Sequence, residues 1–333
     1  MLRYPFDDLP KHGTTTEIMP GIHWLRMPLP MALDHINLYL LEDEDGWWII
    51  DTGIAIDPTQ ELWEKIFANC LGDKPVKAVV CTHMHPDHIG MAGWLCEKWR
   101  VPLYMTRGEY LSGRSYSTIR KEDFSWTSAQ HLRQSGFTEE QIEQHKQHFG
   151  GFGSVVTPMP GAFHRLLDGD TLSINGNRWR IVVGSGHSPE HACLYSESLN
   201  VLISGDQVIP RITSNVSVSG NEPEANPLRE WLESHEHFIA TLPQDALVLP
   251  AHNTPFYGLH ERLRVLIEHH KEHLLAIEQA CVDKTPTAFE LLPVLFKRKL
   301  DSSLIGLAMG ECVAHLNFLH QRGQIAREKD VAG

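Results

Sequence analysis

Four side chains able to hold a cation fall within six residues, in the stretch Thr82-His83-Met84-His85-Pro86-Asp87-His88. Three imidazoles and a carboxylate so close together are costly unless a cation neutralises and orders them. Mixed nitrogen and oxygen donors of this kind suit zinc, iron or manganese. In an extended segment residues two apart face the same way, so His83 and His85 can grip one ion. The turn at Pro86 then re-aims Asp87 and His88 toward a second. Four side chains do not fill two coordination shells, and His187, Asp206 and His252 are the candidates to complete them. One Asp between two ions can bridge them with its two oxygens.

Each candidate follows a predicted strand. Val79-Val80-Cys81 precedes the His-rich loop, and Trp47 to Ile50 precedes Asp51-Thr52-Gly53. Trp179 to Val183 leads to His187, Val201 to Ser204 to Asp206, and Ala246 to Leu249 to His252. Ligands placed at strand ends are held rigidly by a sheet scaffold.

Other segments frame these strands. Residues 1 to about 17 read as an arm. Strands are expected at 21–27 and 35–41, joined to 47–50 by short turns as an antiparallel start to a sheet. Apolar spacing predicts helices at 58–71, at about 90–99 and at 227–241. A short strand is expected at 101–105, and Asn175-Gly176 marks a hairpin. Residues about 106–160 are polar and read as an inserted helical segment, either a lid or a subunit contact. From Leu259 the strands stop, and three helices are expected. The predicted organisation is a catalytic domain over 1–258 and a small helical domain over 259–333.

The chain has 333 residues, 42% of them apolar, and a formal charge of −13. That charge argues against broad binding to nucleic acid or anionic membrane. The tail from Leu259 is balanced in charge, so the acidic excess lies before it. Six cysteines show no CxxC pair, and Cys81 and Cys193 sit in apolar runs as buried thiols, a usage that fits a reducing compartment. Met1 to Pro10 has no apolar core of a signal peptide, and no run approaches the ~18 residues of a membrane span. A cytoplasmic enzyme with a small-molecule substrate and no membrane partner is expected, with homo-oligomerisation left open. His145, His148, His164, His269, His270 and His273 read as solvated, with His164 also a candidate to line the pocket. Lys297-Arg298-Lys299 reads as a solvated helix end. Neither a GxSxG elbow nor a P-loop occurs.

Taken together, Asp51-Thr52-Gly53, the loop Thr82 to His88, Gly186-His187-Ser188-Pro189, Gly205-Asp206 and Pro250-Ala251-His252 resemble the motifs of the metallo-β-lactamase superfamily, in that family's order, over residues 18 to 258. The resemblance implies an α/β fold, a four-layer αβ/βα sandwich with the site along one edge. It puts His83, His85 and His187 on one divalent ion and Asp87, His88 and His252 on another, with Asp206 bridging. Zinc is the first choice, iron or manganese the alternatives. All seven positions are filled, as in glyoxalase II-like and nuclease-like members. Asp51 and His191 are expected to support the ligands. Glu190 departs from the pattern, where relatives often carry Gly. The tail, through Ala314 to Leu319 and Arg322-Gly323-Gln324-Ile325, resembles a winged-helix-like C-terminal domain.

The implied mechanism is hydrolysis by a hydroxide bridging two ions, which also polarise the scissile group. Asp206 holds the bridge, and Asp87 orients the hydroxide or shuttles a proton. A small ester or thioester of the hydroxyacylglutathione type is the first substrate expectation. A phosphodiesterase or endoribonuclease is suggested by the tail and weakened by the charge. A lactonase lacks its expected tyrosine in Asp206-Gln207-Val208-Ile209-Pro210. An iron persulfide dioxygenase shares the loop but uses one metal, and a non-catalytic metal-binding protein is the reading from another class.

Overall fold

A computed structural model describes residues 1–31, 33–149, 151–297, 300 and 304–328. Two sheets face each other. The first, in spatial order, holds β1 (Thr16–Met19), β2 (Ile22–Pro28), β3 (His35–Asp43), β4 (Gly46–Ile50), β5 (Val76–Val80), β6 (Leu103–Met105) and β7 (His164–Arg165). The second holds β8 (Thr171–Ile174), β9 (Asn177–Gly184), β10 (His191–Ser196), β11 (Val201–Gly205) and β12 (Leu247–Pro250), with β12 at one edge beside β11.

Period-two alternation sorts the side chains into layers. In β3, Tyr39 and Leu41 point into the space between the sheets, with Trp24, Ile181, Leu194 and Ile203. Ile36, Leu38 and Leu40 point outward onto α1 (Asp57–Asn69) and α3 (Ala92–Trp99), where Trp63, Ile66 and Leu95 meet them. In β10, Ala192 and Leu194 face inward, while Cys193 and Tyr195 face α7 (Pro227–Thr241) and the C-terminal helices. Helix, sheet, sheet and helix therefore form the expected four layers. Burial of one Ile or Leu in such a layer contributes roughly 1.5–3 kcal/mol.

Strand direction explains where the candidate residues gather. β1 to β4 form an antiparallel meander, but β4 and β5 run parallel, crossing over through α1. β11 and β12 are likewise parallel, crossing over through α7. Parallel neighbours end on the same side of a sheet. Asp51 and His83 thus leave one sheet together, and Asp206 and His252 leave the other.

The antiparallel start, the hairpin and α7 lie where the sequence places them. The strand Thr16–Met19, paired to β2, begins within the expected arm, at Thr16 and Glu17. The helix expected at about 90–99 is α3, and a further short helix, α2 (Pro86–Ile89), with Pro86 in its first turn, forms inside the His-rich loop where a turn was expected. The inserted segment holds α4 (Arg107–Tyr116), α5 (Trp126–Gln134) and α6 (Glu139–His148). A capping box of Thr138 and Gln141 starts α6. Leu132, Phe137 and Ile142 join the same apolar cluster as the tail, and Phe289 N donates to Ser135 O at 2.9 Å.

The tail is α8 (Leu259–Ala280), α9 (Ala288–Leu295) and α10 (Ile305–Gln321), and among the described residues no strand follows β12. His270 corrects the sequence reading: it lies on the apolar stripe of α8, fully buried, with Nδ1 3.2 Å from His315 Nε2. Of Lys297-Arg298-Lys299, the last two lie outside the described residues. No described helix is long and apolar enough to cross a membrane.

Candidate metal centre

All seven predicted residues converge at one edge of the sandwich, in two sets. His83, His85, His187 and Asp206 form one, and Asp87, His88 and His252 the other. In the first set, His83 Nε2 is 2.8 Å from His85 Nδ1, and His187 Nε2 is 3.1 Å from His85 Nδ1 and 3.2 Å from His83 Nε2. Three ring nitrogens this close cannot all present lone pairs to one another without a cation or proton between them. In the second set, Asp87 Oδ2 is 3.6 Å from His88 Nε2 and 3.4 Å from His252 Nε2. Asp206 touches both: Oδ2 is 3.4 Å from His187 Nε2 and 3.7 Å from His88 Nε2, and Oδ1 is 3.3 Å from His252 Nε2.

The opposite ring atoms explain why these nitrogens aim inward. His88 Nδ1 bonds Asp51 Oδ2 at 2.8 Å, His187 Nδ1 donates to Asn215 O at 2.7 Å, and His252 Nδ1 donates to His35 O at 2.9 Å. Each such bond selects the tautomer whose Nε2 is a free acceptor. Asp51, in the left-handed backbone region at φ 60°, also accepts from Thr82 N at 2.8 Å and Thr82 Oγ1 at 2.9 Å. Thr52 N and Oγ1 both donate to His88 O. His191 is fully buried, stacks on His83, and accepts from Asp206 N at 3.1 Å. Gly205, just before Asp206, has φ 49°, and a Cβ there would lie 2.6 Å from the His191 ring. Asp51 and His191 are thus placed as supports of the seven.

Charge within the site is unbalanced by the protein alone. Burial, then the neighbouring rings, pushes His83 well below the usual imidazole range and His85 down to about 3. Burial also works against charge on His88, yet Asp51, Asp87 and Asp206 override it and hold that ring well above its usual range. Asp206 and Asp87 likewise override burial at His252 and bring it to about 10. The two rings in turn hold Asp87 at about 2 and Asp206 well below the carboxylate range, against burial. The carboxylates thus demand positive charge that only protons on ligand rings supply. His88 Nε2 and Asp206 Oδ1 are buried without a hydrogen-bond partner. Orphaned donor atoms, neutral imidazoles and ionised carboxylates together fit divalent cations.

The family model of the metallo-beta-lactamase superfamily matches residues 32–252, and the model of a metallo-beta-lactamase-like C-terminal domain matches 274–333. The chain belongs to the metallo-β-lactamase superfamily. By class it is a metal-dependent hydrolase, as its sequence implies. The fold agrees with the crystal structure of a beta-lactamase domain protein from Burkholderia ambifaria, 43% identical, TM-score 0.93, over 99% of this chain and 96% of that one. It also agrees with that of a metallo-beta-lactamase family protein from Thermus thermophilus, 28% identical, TM-score 0.78, over 94% and 97%. "Probable metallo-hydrolase YqjP" of Bacillus subtilis (strain 168) is 22% identical over 89% of this chain and 91% of its own length.

Within this metallo-β-lactamase fold, one buried carboxylate that the sequence did not flag joins the two ligand loops. Glu109 on α4 accepts from Met84 N at 2.9 Å, between His83 and His85. Its other oxygen accepts from Ser188 Oγ at 2.6 Å and Glu190 N at 2.7 Å, just beyond His187. Glu190 answers in kind, its Oε2 accepting from Gly108 N at 2.7 Å at the start of α4. The departure from Gly at that position is therefore a cap for the helix that carries Glu109. Replacing Glu109 with Ala takes the acceptor from two part-buried N–H groups and from the buried Ser188 hydroxyl, a fully buried donor so stranded costing about 1–3 kcal/mol. We expect thermal unfolding to move down by several degrees. Metal content, measured by atomic absorption, should fall first at the three-histidine set. Equal metal content in Glu109→Ala and the parent chain would refute this role.

Proposed function

We propose that this chain is a dinuclear hydrolase, with zinc in both positions, acting on a small ester or thioester of the hydroxyacylglutathione type. The observation that carries the reading is that two sets of donor atoms meet at Asp206, one carboxylate within reach of both. On this reading residues 1–258 form the catalytic domain and 259–333 the attached helical domain.

When bound, the two ions supply Lewis acidity and a water acidified toward neutral pH. The chain supplies the rest. His83, His85 and His187 would offer ring nitrogens on one side, the Asp87 carboxylate with the His88 and His252 rings would hold the other, and Asp206 lies within reach of both. Asp87 stays ionised at neutral pH, and its side chain keeps some exposure, 17% against none for His88. Its Oδ2 is therefore placed to orient the attacking water and take its proton. Asp51 holds the His88 ring while charge moves beside it.

The acidic chain favours a small substrate over nucleic acid, because phosphate binding calls for a basic surface. The absence of tyrosine from Asp206 to Pro210 favours a thioester over a lactone.

Protein purified without chelator should carry two equivalents of metal and turn over an S-hydroxyacyl thioester at a rate insensitive to moderate salt. Well under two equivalents would remove the dinuclear reading. Turnover of phosphodiesters or RNA with steep salt dependence, and none of thioesters, would replace the substrate class.

A further inference from the structure

The segment from Asp206 to α7 contains no strand, yet it carries one candidate ligand and braces another. Asp206 begins it, and Asn215 O accepts the Nδ1 proton of His187 at 2.7 Å. We propose that α10 of the C-terminal tail is a positioning element for His187, acting through residues 214–218. This rests on the reading of His187 as a metal ligand.

The contacts are specific to this segment. Asn215 Nδ2 donates to Glu311 Oε2 at 3.2 Å and lies 3.3 Å from Leu307 O, both on α10. Ser217 Oγ bonds Asn215 Oδ1 and lies 3.3 Å from Leu307 O. Val218 N donates to Gly310 O at 3.0 Å. Val216 and Val218 are buried in one apolar cluster with Ala308, Met309 and Cys312 of the same helix. At the closest approach stands Gly310, where a Cβ would lie 2.8 Å from Ser217 Cβ and Oγ. The other end of the segment is held from α8, where Arg262 Nε donates to Ile209 O and Nη2 to Ile212 O, each at 2.7 Å.

A tail that packed on the catalytic sheet only for stability would need apolar contact alone. Here a nearly buried carboxylate, Glu311, is directed at the side chain of the residue whose carbonyl orients His187. Burying such a group is unfavourable without a hydrogen-bonded role. Burial pushes its carboxyl up to about 7, so an uncharged amide in its place keeps the acceptor. The distance from helix to ring is two links: Glu311 to Asn215, and Asn215 to His187. Ring orientation sets how well Nε2 faces an ion, and direct partners of metal-binding histidines contribute about 10–100-fold to affinity. One link further out, an effect of about threefold to tenfold is expected.

The test uses the full-length chain, Zn2+ affinity measured against a chromophoric chelator, and the visible spectrum of the Co2+-substituted protein. Glu311→Ala should weaken one of two Zn2+ sites by that factor, shift the Co2+ bands, and lower kcat more than it raises KM. Glu311→Gln should restore all three. Gly310→Ala, which wedges α10 off Ser217, should move them in the direction of Glu311→Ala. A folded Glu311→Ala protein with both affinities and the Co2+ spectrum of the parent would overturn the proposal. Should that variant not fold, Ser217→Ala decides by the same readouts. A parent chain that binds no Zn2+ tightly defeats the dinuclear reading instead, and the two failures are thereby distinct.

Discussion

Asp206→Ala should abolish turnover and leave the protein with less than one equivalent of metal. Both carboxylate oxygens of Asp206 lie within 3.3 to 3.7 Å of ring nitrogens from the two sets. Its removal unlinks the sets and takes the shared donor from each. A loss of three orders of magnitude in kcat/KM corresponds to about 4 kcal/mol in the barrier, a reasonable size for losing ion-borne charge stabilisation. The fold should survive, since the bond to His191 comes from the main-chain N of Asp206 and the Ala variant keeps it. Metal analysis, kcat/KM and circular dichroism on one preparation check this. A variant that keeps two ions and full activity would show that Asp206 does not span the centre.

The second large effect is at Asp51, behind the His88 ring, and there two substitutions separate stability from metal affinity. In Asp51→Ala, Thr82 N, Thr82 Oγ1 and His88 Nδ1 all lose the buried carboxylate; Thr82 N is stranded, while Thr82 Oγ1 and His88 Nδ1, 3.2 Å apart, keep only each other and the His83 ring. At about 1–3 kcal/mol for a stranded group, thermal unfolding should fall. The second-set metal affinity should drop about 10–100-fold. In Asp51→Asn, the amide oxygen still accepts from Thr82, but the amide nitrogen cannot accept from His88 Nδ1. The ring is then driven to carry its proton on Nε2, the atom that faces Asp87 and Asp206. Unfolding should move little while affinity falls nearly as far as in the Ala variant. Paired unfolding curves and Zn2+ titrations test it. Equal affinity in the Asn variant and the parent would show that the Asp51 carboxylate does not set the His88 tautomer.

The candidate ligands were legible because their information is local. Three His and an Asp in six residues carry their chemistry with them, and each distant partner follows an apolar strand whose alternation is visible. Parallel pairing at β4–β5 and β11–β12 is consistent with the helix between each pair, and that pairing is what gathers the ligands. Glu109 was not legible: one acid in a polar helix looks solvated, and only packing shows its bonds to two loops far apart in sequence. Asn215 acts on His187 through a main-chain carbonyl, which no residue type announces. His270 shows two signals in conflict, a histidine among polar neighbours that nonetheless sits at an apolar position of α8. The strand Thr16–Met19 is short and half-exposed, so its pairing with β2 outweighs any pattern of its own.

All six cysteines are free thiols, so no disulfide joins the two sheets. The candidate ligands leave from both: His83 to His88 from the end of β5, His187, Asp206 and His252 from the other sheet. Ions shared by these loops would cross-link distant segments much as a disulfide does, but reversibly and by mass action. Their occupancy would then enter the folding equilibrium itself, about 4 kcal/mol for free metal at a thousand times its dissociation constant. The cell's metal supply would in that case set how long this sandwich stays closed, as well as how fast it works.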